Sequence, residues 1–257
     1  MRLDPRWHQA FLRFVKLGFL HILDGLDHLL FILCLVVPFR RLMGLVPIVT
    51  AFTVAHSITL IASASGLAPS ALWFAPLVET LIAASIVYMA LENIVGVRLH
   101  RRWLVAFAFG LVHGFGFAFV LGESLQFAGS HLVGSLLAFN VGVELGQIMV
   151  LLVAIPVLDW LFRKVVPERV GTIILSALIT HTAWHWMTER GSQLTHYQFA
   201  APALDVALVV SVMRWVLLGL VCVGAAWLLA GLFDRWTGAE SPTPGASGGV
   251  AEEASSI

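Results

Sequence analysis

Apolar runs, each close to the thickness of a bilayer, alternate along this chain with short polar or basic breaks. A helix needs about 20 mostly apolar residues to cross the hydrocarbon core. Seven segments meet that pattern: Phe14 to Val37, Gly44 to Ala64, Ala71 to Val95, Leu104 to Leu121, Leu132 to Leu161, Thr172 to Met187 and Val206 to Phe233. Pro38 with Arg40 and Arg41 ends the first, and Gly66 with Pro69 marks the turn after the second. The pattern predicts an all-α fold, a polytopic transmembrane helical bundle of about seven spans. Residues 1–13 read as an N-terminal interfacial segment, 14–233 as the membrane domain, and 234–257, rich in Ser, Gly, Pro and Glu, as a disordered polar tail.

Composition agrees. Of 257 residues, 59% are hydrophobic and 12% charged, with a mean hydropathy of +0.92. A soluble domain carries about a quarter charged residues, so this surface is built to face a lipid bilayer. A formal net charge of zero gives no argument for a nucleic-acid partner. Cys34 and Cys222 both lie in apolar runs and form neither a disulfide framework nor a thiolate metal pattern. The first apolar run is too long for a cleavable signal and carries ionisable residues at its centre.

Lysine and arginine in short loops set the orientation. Arg40 and Arg41 follow the first span, Arg98, Arg101 and Arg102 the third, and Arg163, Lys164 and Arg169 the fifth; the loops after the second and fourth have none. The N-terminus is therefore expected outside and the C-terminus in the cytoplasm. Arg2, Arg6, Arg13 and Lys16 precede the first span and oppose this; Arg13 and Lys16 can snorkel from an interfacial turn.

The polar residues inside the spans change the picture most, because an ionisable group at mid-bilayer costs a few kcal/mol and needs a partner or a purpose. The first span reads HILDGLDH, with His21, Asp24, Asp27 and His28; on a straight helix His21, Asp24 and His28 share a stripe. The second holds Thr53 and His56, and the fourth His113. The fifth holds Asn140, Glu144 and Gln147, and the sixth the i, i+4 pair His181 and His185. The expected topology puts His28, His56, His113, Glu144 and His181 near the midplane and His21, Glu79, Asn140 and His185 in the outer half. Glu92 lies apart, near the inner face, as a partner for Arg98 or Arg101. His8, His100, His131 and His196 fall in loops or flanks.

Imidazole and carboxylate together are the ligand set of zinc, nickel, cobalt or iron. An i, i+4 His pair can present two nitrogens to one ion, and the neighbouring aspartates can fix tautomers as hydrogen-bond acceptors. The expected metal ligands are His21, Asp24, Asp27, His28, His56, His113, Glu144, His181 and His185. A lone buried His more often bridges two helices, which suits His113, Asn140 and Gln147 taken singly. Gly110, Gly114 and Gly116 around His113, and Gly142 and Gly146 around Glu144, are expected to bring those two helices together.

The stretches GFLHILDGLDHLLFIL, AFTVAHSITL, ALEN at Ala90 to Asn93, FGLVHGFGFA and FNVGVELGQ at Phe139 to Gln147 resemble the HupE/UreJ family of bacterial membrane proteins, associated with nickel supply to hydrogenase and urease. The likeness implies a divalent-cation permease in the bacterial cytoplasmic membrane, with nickel first. The His-x5-Asp-His element of nickel permeases maps onto His21, Asp27 and His28. Their later His-Gly motif also carries a second His and a Glu; here His113 and Gly114 stand without them, Gly116 falling about where the Glu would be, as in a divergent branch. A rival reading is an intramembrane zinc hydrolase using His181 and His185 with His28 or His56 and an Asp or Glu as base. Seven spans with a late His-x3-His pair are similar in architecture to alkaline ceramidases. A metal sensor or assembly factor is a third.

Overall fold

A backbone in lipid must satisfy its own N–H and C=O groups, so each apolar run folds as a helix. The computed structural model describes residues 7–69, 71–96, 101–121, 132–197 and 206–236. Its helices are α1 (Trp7–Asp24), α2 (Leu26–Val36), α3 (Leu42–Ala64), α4 (Phe74–Val95), α5 (Arg102–Leu121), α6 (Leu132–Lys164), α7 (Glu168–Leu194) and α8 (Val206–Trp236), and no strand occurs among the described residues. The chain is a membrane protein: α3, α4, α6 and Val210–Leu232 of α8 are long and apolar enough to cross a bilayer, and α1 with α2 makes a fifth candidate as a bent pair. All seven expected segments fall on helices, but length and composition give four or five candidate spans among the described residues, with neither α7 nor Arg102–Gly116 of α5 among them. The expected tail, 234–257, lies almost wholly outside the described residues.

Two departures from the expected elements matter for function. Helix α1 starts at Trp7, before the expected Phe14. More important, the first span is not one helix. It breaks at Gly25, and α1 and α2 meet at 71°. Glycine is the poorest ordinary helix former, and here it also makes room: a Cβ on Gly25 would stand 2.8 Å from the His21 carbonyl, 2.9 Å from His28 Nδ1 and 3.0 Å from Asp27 Oδ1.

The helices pack in close pairs, α1 with α6, α3 with α5 and α4 with α7. Small residues set the first two. Gly18 lies against the Phe139 carbonyl and Gly142 against the Val15 carbonyl, so a side chain at either would run into the facing backbone. Gly110 meets the Phe52 carbonyl and Gly114 the His56 carbonyl. The glycines thus join α5 to α3 and α6 to α1, rather than α5 to α6 as their flanking of His113 and Glu144 suggests. The core they enclose includes Phe14, Ile22, Phe31, Phe52, Leu60, Ile86 and Phe139. Helix α8 packs at the side of the bundle, with Cys222, Ala225, Ala226 and Leu229 against Ala51, Ala55 and Phe107. Most of the described apolar side chains of α8 are exposed, as suits a lipid-facing surface.

Charged residues collect at one end of the bundle. Arg40 pairs with Asp159 at 2.8 Å and Glu168 at 2.6 Å, and its guanidinium lies 4.8 Å from the Phe162 ring centre. Arg169 donates to the Ile94 carbonyl at 2.8 Å. The ends of α4 and α6 and the basic turn after α2 therefore meet on one side. Arg102, counted above as a loop charge, begins α5 and is fully buried. It donates to Asn93 and to the Leu35 carbonyl, and lies 3.5 Å from Glu92. Arg102 is thus the observed partner of Glu92, in place of the expected Arg98 or Arg101; Arg98 lies outside the described residues. At the other end Arg190 meets Glu79 at 3.1 Å, so α7 runs antiparallel to α4.

Candidate metal centre

The break at Gly25 places a histidine on each side of a corner. His21 ends its helix one turn before the bend, His28 begins the next, and their rings stand 4.6 Å apart. His56 of α3 and His113 of α5 complete the group, with the His28 and His113 rings 5.3 Å apart and the His28 and His56 rings 6.3 Å apart. Two overlapping sets result, sharing His28: His21, His28 and His56; and Asp27, His28 and His113. Within each, one ligand atom per residue lies within 4.8 Å of the others. Two nitrogens bound at about 2.0–2.1 Å to one ion can be at most about 4.2 Å apart, so small side-chain movements close either set.

Hydrogen bonds on the far side of each ring decide which nitrogen faces inward. Asn140 donates from Nδ2 to the Leu136 carbonyl at 2.8 Å, which turns its Oδ1 toward His56 Nδ1 at 3.1 Å. His56 therefore carries its proton on Nδ1, and Nε2 keeps a lone pair. Ser85 donates to the Ile82 carbonyl at 2.7 Å, so its oxygen accepts from His113 Nε2 at 3.1 Å, leaving Nδ1 of His113 as the lone pair. His28 Nδ1 donates to Asp27 Oδ1 at 3.1 Å. The three remaining nitrogens, His28 Nε2, His56 Nε2 and His113 Nδ1, are buried with no hydrogen-bond partner among the described residues. Leaving one such atom unpaired costs roughly 1–3 kcal/mol. Holding ring N–H groups on oxygens while the opposite lone pairs converge is how proteins prepare imidazole to bind metal.

Aromatic rings close the site. Phe52 stacks on His56 and meets His113 edge-on at 5.1 Å, Phe31 lies 5.6 Å from His113, and Phe139 stacks on His56. His28, His56 and His113 are all buried. Asp27, with 31% of its side chain exposed, is the open edge of the site.

The other expected ligands lie elsewhere. Asp24 is exposed on the last turn of α1, and the corner that follows takes His28 off the stripe that the three residues would share on a straight helix. Glu144 is half-buried on α6 and takes its hydrogen bonds from Thr50 and Thr53 of α3. His181 and His185 meet edge to face at 4.6 Å on the outer face of α7, both exposed. His8 is exposed at the start of α1 and His196 lies in a turn, while His100 and His131 fall outside the described residues. Ser85 and Thr50 were not among the candidates. Each is an isolated hydroxyl in an apolar span, a weak signal that gains meaning only from its partner.

A family model described as "HupE / UreJ protein" matches residues 1–190. No curated protein and no solved structure matches the chain.

Proposed function

As the chain belongs to the HupE/UreJ family, we propose that it carries a divalent metal cation across the bacterial cytoplasmic membrane, nickel first among the candidates and zinc second. The single observation that carries this reading is the set of buried imidazole lone pairs at His28, His56 and His113, turned inward by Asp27, Asn140 and Ser85. Neutral imidazole with one carboxylate suits borderline divalent ions. Asp27, at the open edge, meets the cation first, and His28 belongs to both ligand sets, so an ion can pass from the His113 side to the His56 side without losing it. A break in a spanning helix at mid-membrane is a recurrent way for transporters to place ligands. The orientation that fits loop charge has the N-terminus outside and the C-terminus in the cytoplasm.

An intramembrane zinc hydrolase built on His181 and His185 with His28 or His56 is less well supported, because that pair faces outward on α7. Uptake of radiolabelled nickel into proteoliposomes tests the transport reading. The purified protein should accelerate uptake over empty vesicles, and His28→Ala should abolish the acceleration. Uptake no faster than in empty vesicles would sink it.

A further inference from the structure

Glu144 lies in the apolar span α6, and among the described residues no positive side chain pairs with it. Thr50 donates to its Oε1 at 2.6 Å, and the Thr53 hydroxyl stands 2.5 Å from its Oε2. Thr53 is also 3.0 Å from Gln147 Oε1 and 3.1 Å from the Val49 carbonyl, so one hydroxyl proton faces three acceptors. No ion pair reaches Glu144 among the described residues. Arg40, Arg102, Arg163 and Arg190 pair with Asp159, Glu168, Glu92 and Glu79 instead. Helix α1 meets this part of α6 through Val15, Phe19 and Ile22. From α8, Arg235 lines a cleft of about 320 Å³ that also reaches Thr50, together with Val46, Trp103 and Leu229, and makes no ion pair with Glu144. An ionised carboxylate held by two hydroxyls in a span is costly to keep. A positive charge that is not part of the chain removes that cost.

We propose that Glu144, Thr50, Thr53 and Gln147 form a second cation site, separate from the imidazole cluster, that takes one hard monovalent cation, a proton or a sodium ion. The donors are all oxygens, the class that hard cations prefer and that imidazole-seeking metals do not. A single carboxylate balances a single charge. Helices α3 and α6, which carry the site, also link it to the metal cluster. His56 is one turn beyond Thr53 on α3, Asn140 one turn before Glu144 on α6, and those two residues are bonded to each other at 3.1 Å. Resting on the transport reading, the site couples metal movement to the gradient of that ion, and the cleft beside Thr50 is its route to the bundle surface.

The test uses the full chain in proteoliposomes and its infrared spectrum in detergent. An imposed proton or sodium gradient should accelerate nickel uptake, the effective ion naming the occupant. Glu144→Gln should lose that acceleration while still binding nickel, and Thr50→Val should raise the concentration of the coupling ion needed by about tenfold. Acceleration unchanged in Glu144→Gln, or loss of nickel binding in that variant, would overturn the proposal. The infrared spectrum reads the site even if no transport is seen, a result that would count against the permease alone. A band absent from Glu144→Gln should respond to pH as a carboxylic acid or to sodium as a carboxylate. A Glu144 carboxylate indifferent to both would overturn the second site.

Discussion

Two groups of histidines in this membrane protein have opposite surroundings. His181 and His185 sit one turn apart on α7, the spacing that sequence reasoning reads most readily as a metal pair, and both are exposed. His21, His28, His56 and His113 lie on four helices, and they come together in two ligand sets that share His28. Spacing along one helix makes two nitrogens neighbours. It does not supply the oxygens that fix which nitrogen of each ring is left as the lone pair. Asp27, Asn140 and Ser85 do this for the inner group. Among the described residues, hydrogen bonds near the outer pair stay local, such as Thr182 to the Leu178 carbonyl and Thr188 to the carbonyls of Trp184 and His185.

Substitutions can widen or erase this contrast. The largest effect is expected at His28, common to both ligand sets: His28→Ala should weaken nickel affinity by more than about a hundredfold, since even oxygen partners of ligands carry 10–100-fold, and titration calorimetry on purified protein reads it. Gly25→Ala should come next. The added methyl would stand 2.8–3.0 Å from atoms of His21, His28 and Asp27, inside van der Waals contact, and should cost the site about 1–3 kcal/mol in metal binding, with helix content by circular dichroism unchanged. Asn140→Leu and Ser85→Ala, which touch no metal, should each lower affinity by about 10–100-fold. An effect of either equal to that of His28→Ala would mean that it supplies a ligand atom. The smallest effect is expected from the double change His181→Ala and His185→Ala, within about twofold of unaltered affinity. A loss as large as that of His28→Ala would reverse the comparison.

Much of the fold was legible because bilayer thickness imposes a length on every apolar run, and all seven segments lie on helices. The break at Gly25 was not, since a glycine inside an apolar run is often carried within a helix, and the crowding of His21, Asp27 and His28 around it exists only in three dimensions. That one bend brings His21 and His28, seven positions apart, to ring contact at 4.6 Å. Depth along the membrane, read from loop charge, placed His28, His56, His113, Glu144 and His181 in one layer. Which way a side chain faces around its helix is a separate coordinate, and it sends His181 outward and Glu144 to Thr50 and Thr53. Arg102 illustrates the same gap. Beside Arg101 it reads as a loop charge, yet it reaches back to the carbonyl of Leu35 at the end of α2 and to Asn93 of α4.

X-ray absorption of the nickel-loaded protein tests most directly whether the inner histidines hold the ion. The nickel should be coordinated mainly by imidazole nitrogen, a signature lost in His28→Ala and kept in the double change at His181 and His185. Coordination without imidazole, or a signature that survives His28→Ala and disappears with His181 and His185, would contradict that assignment.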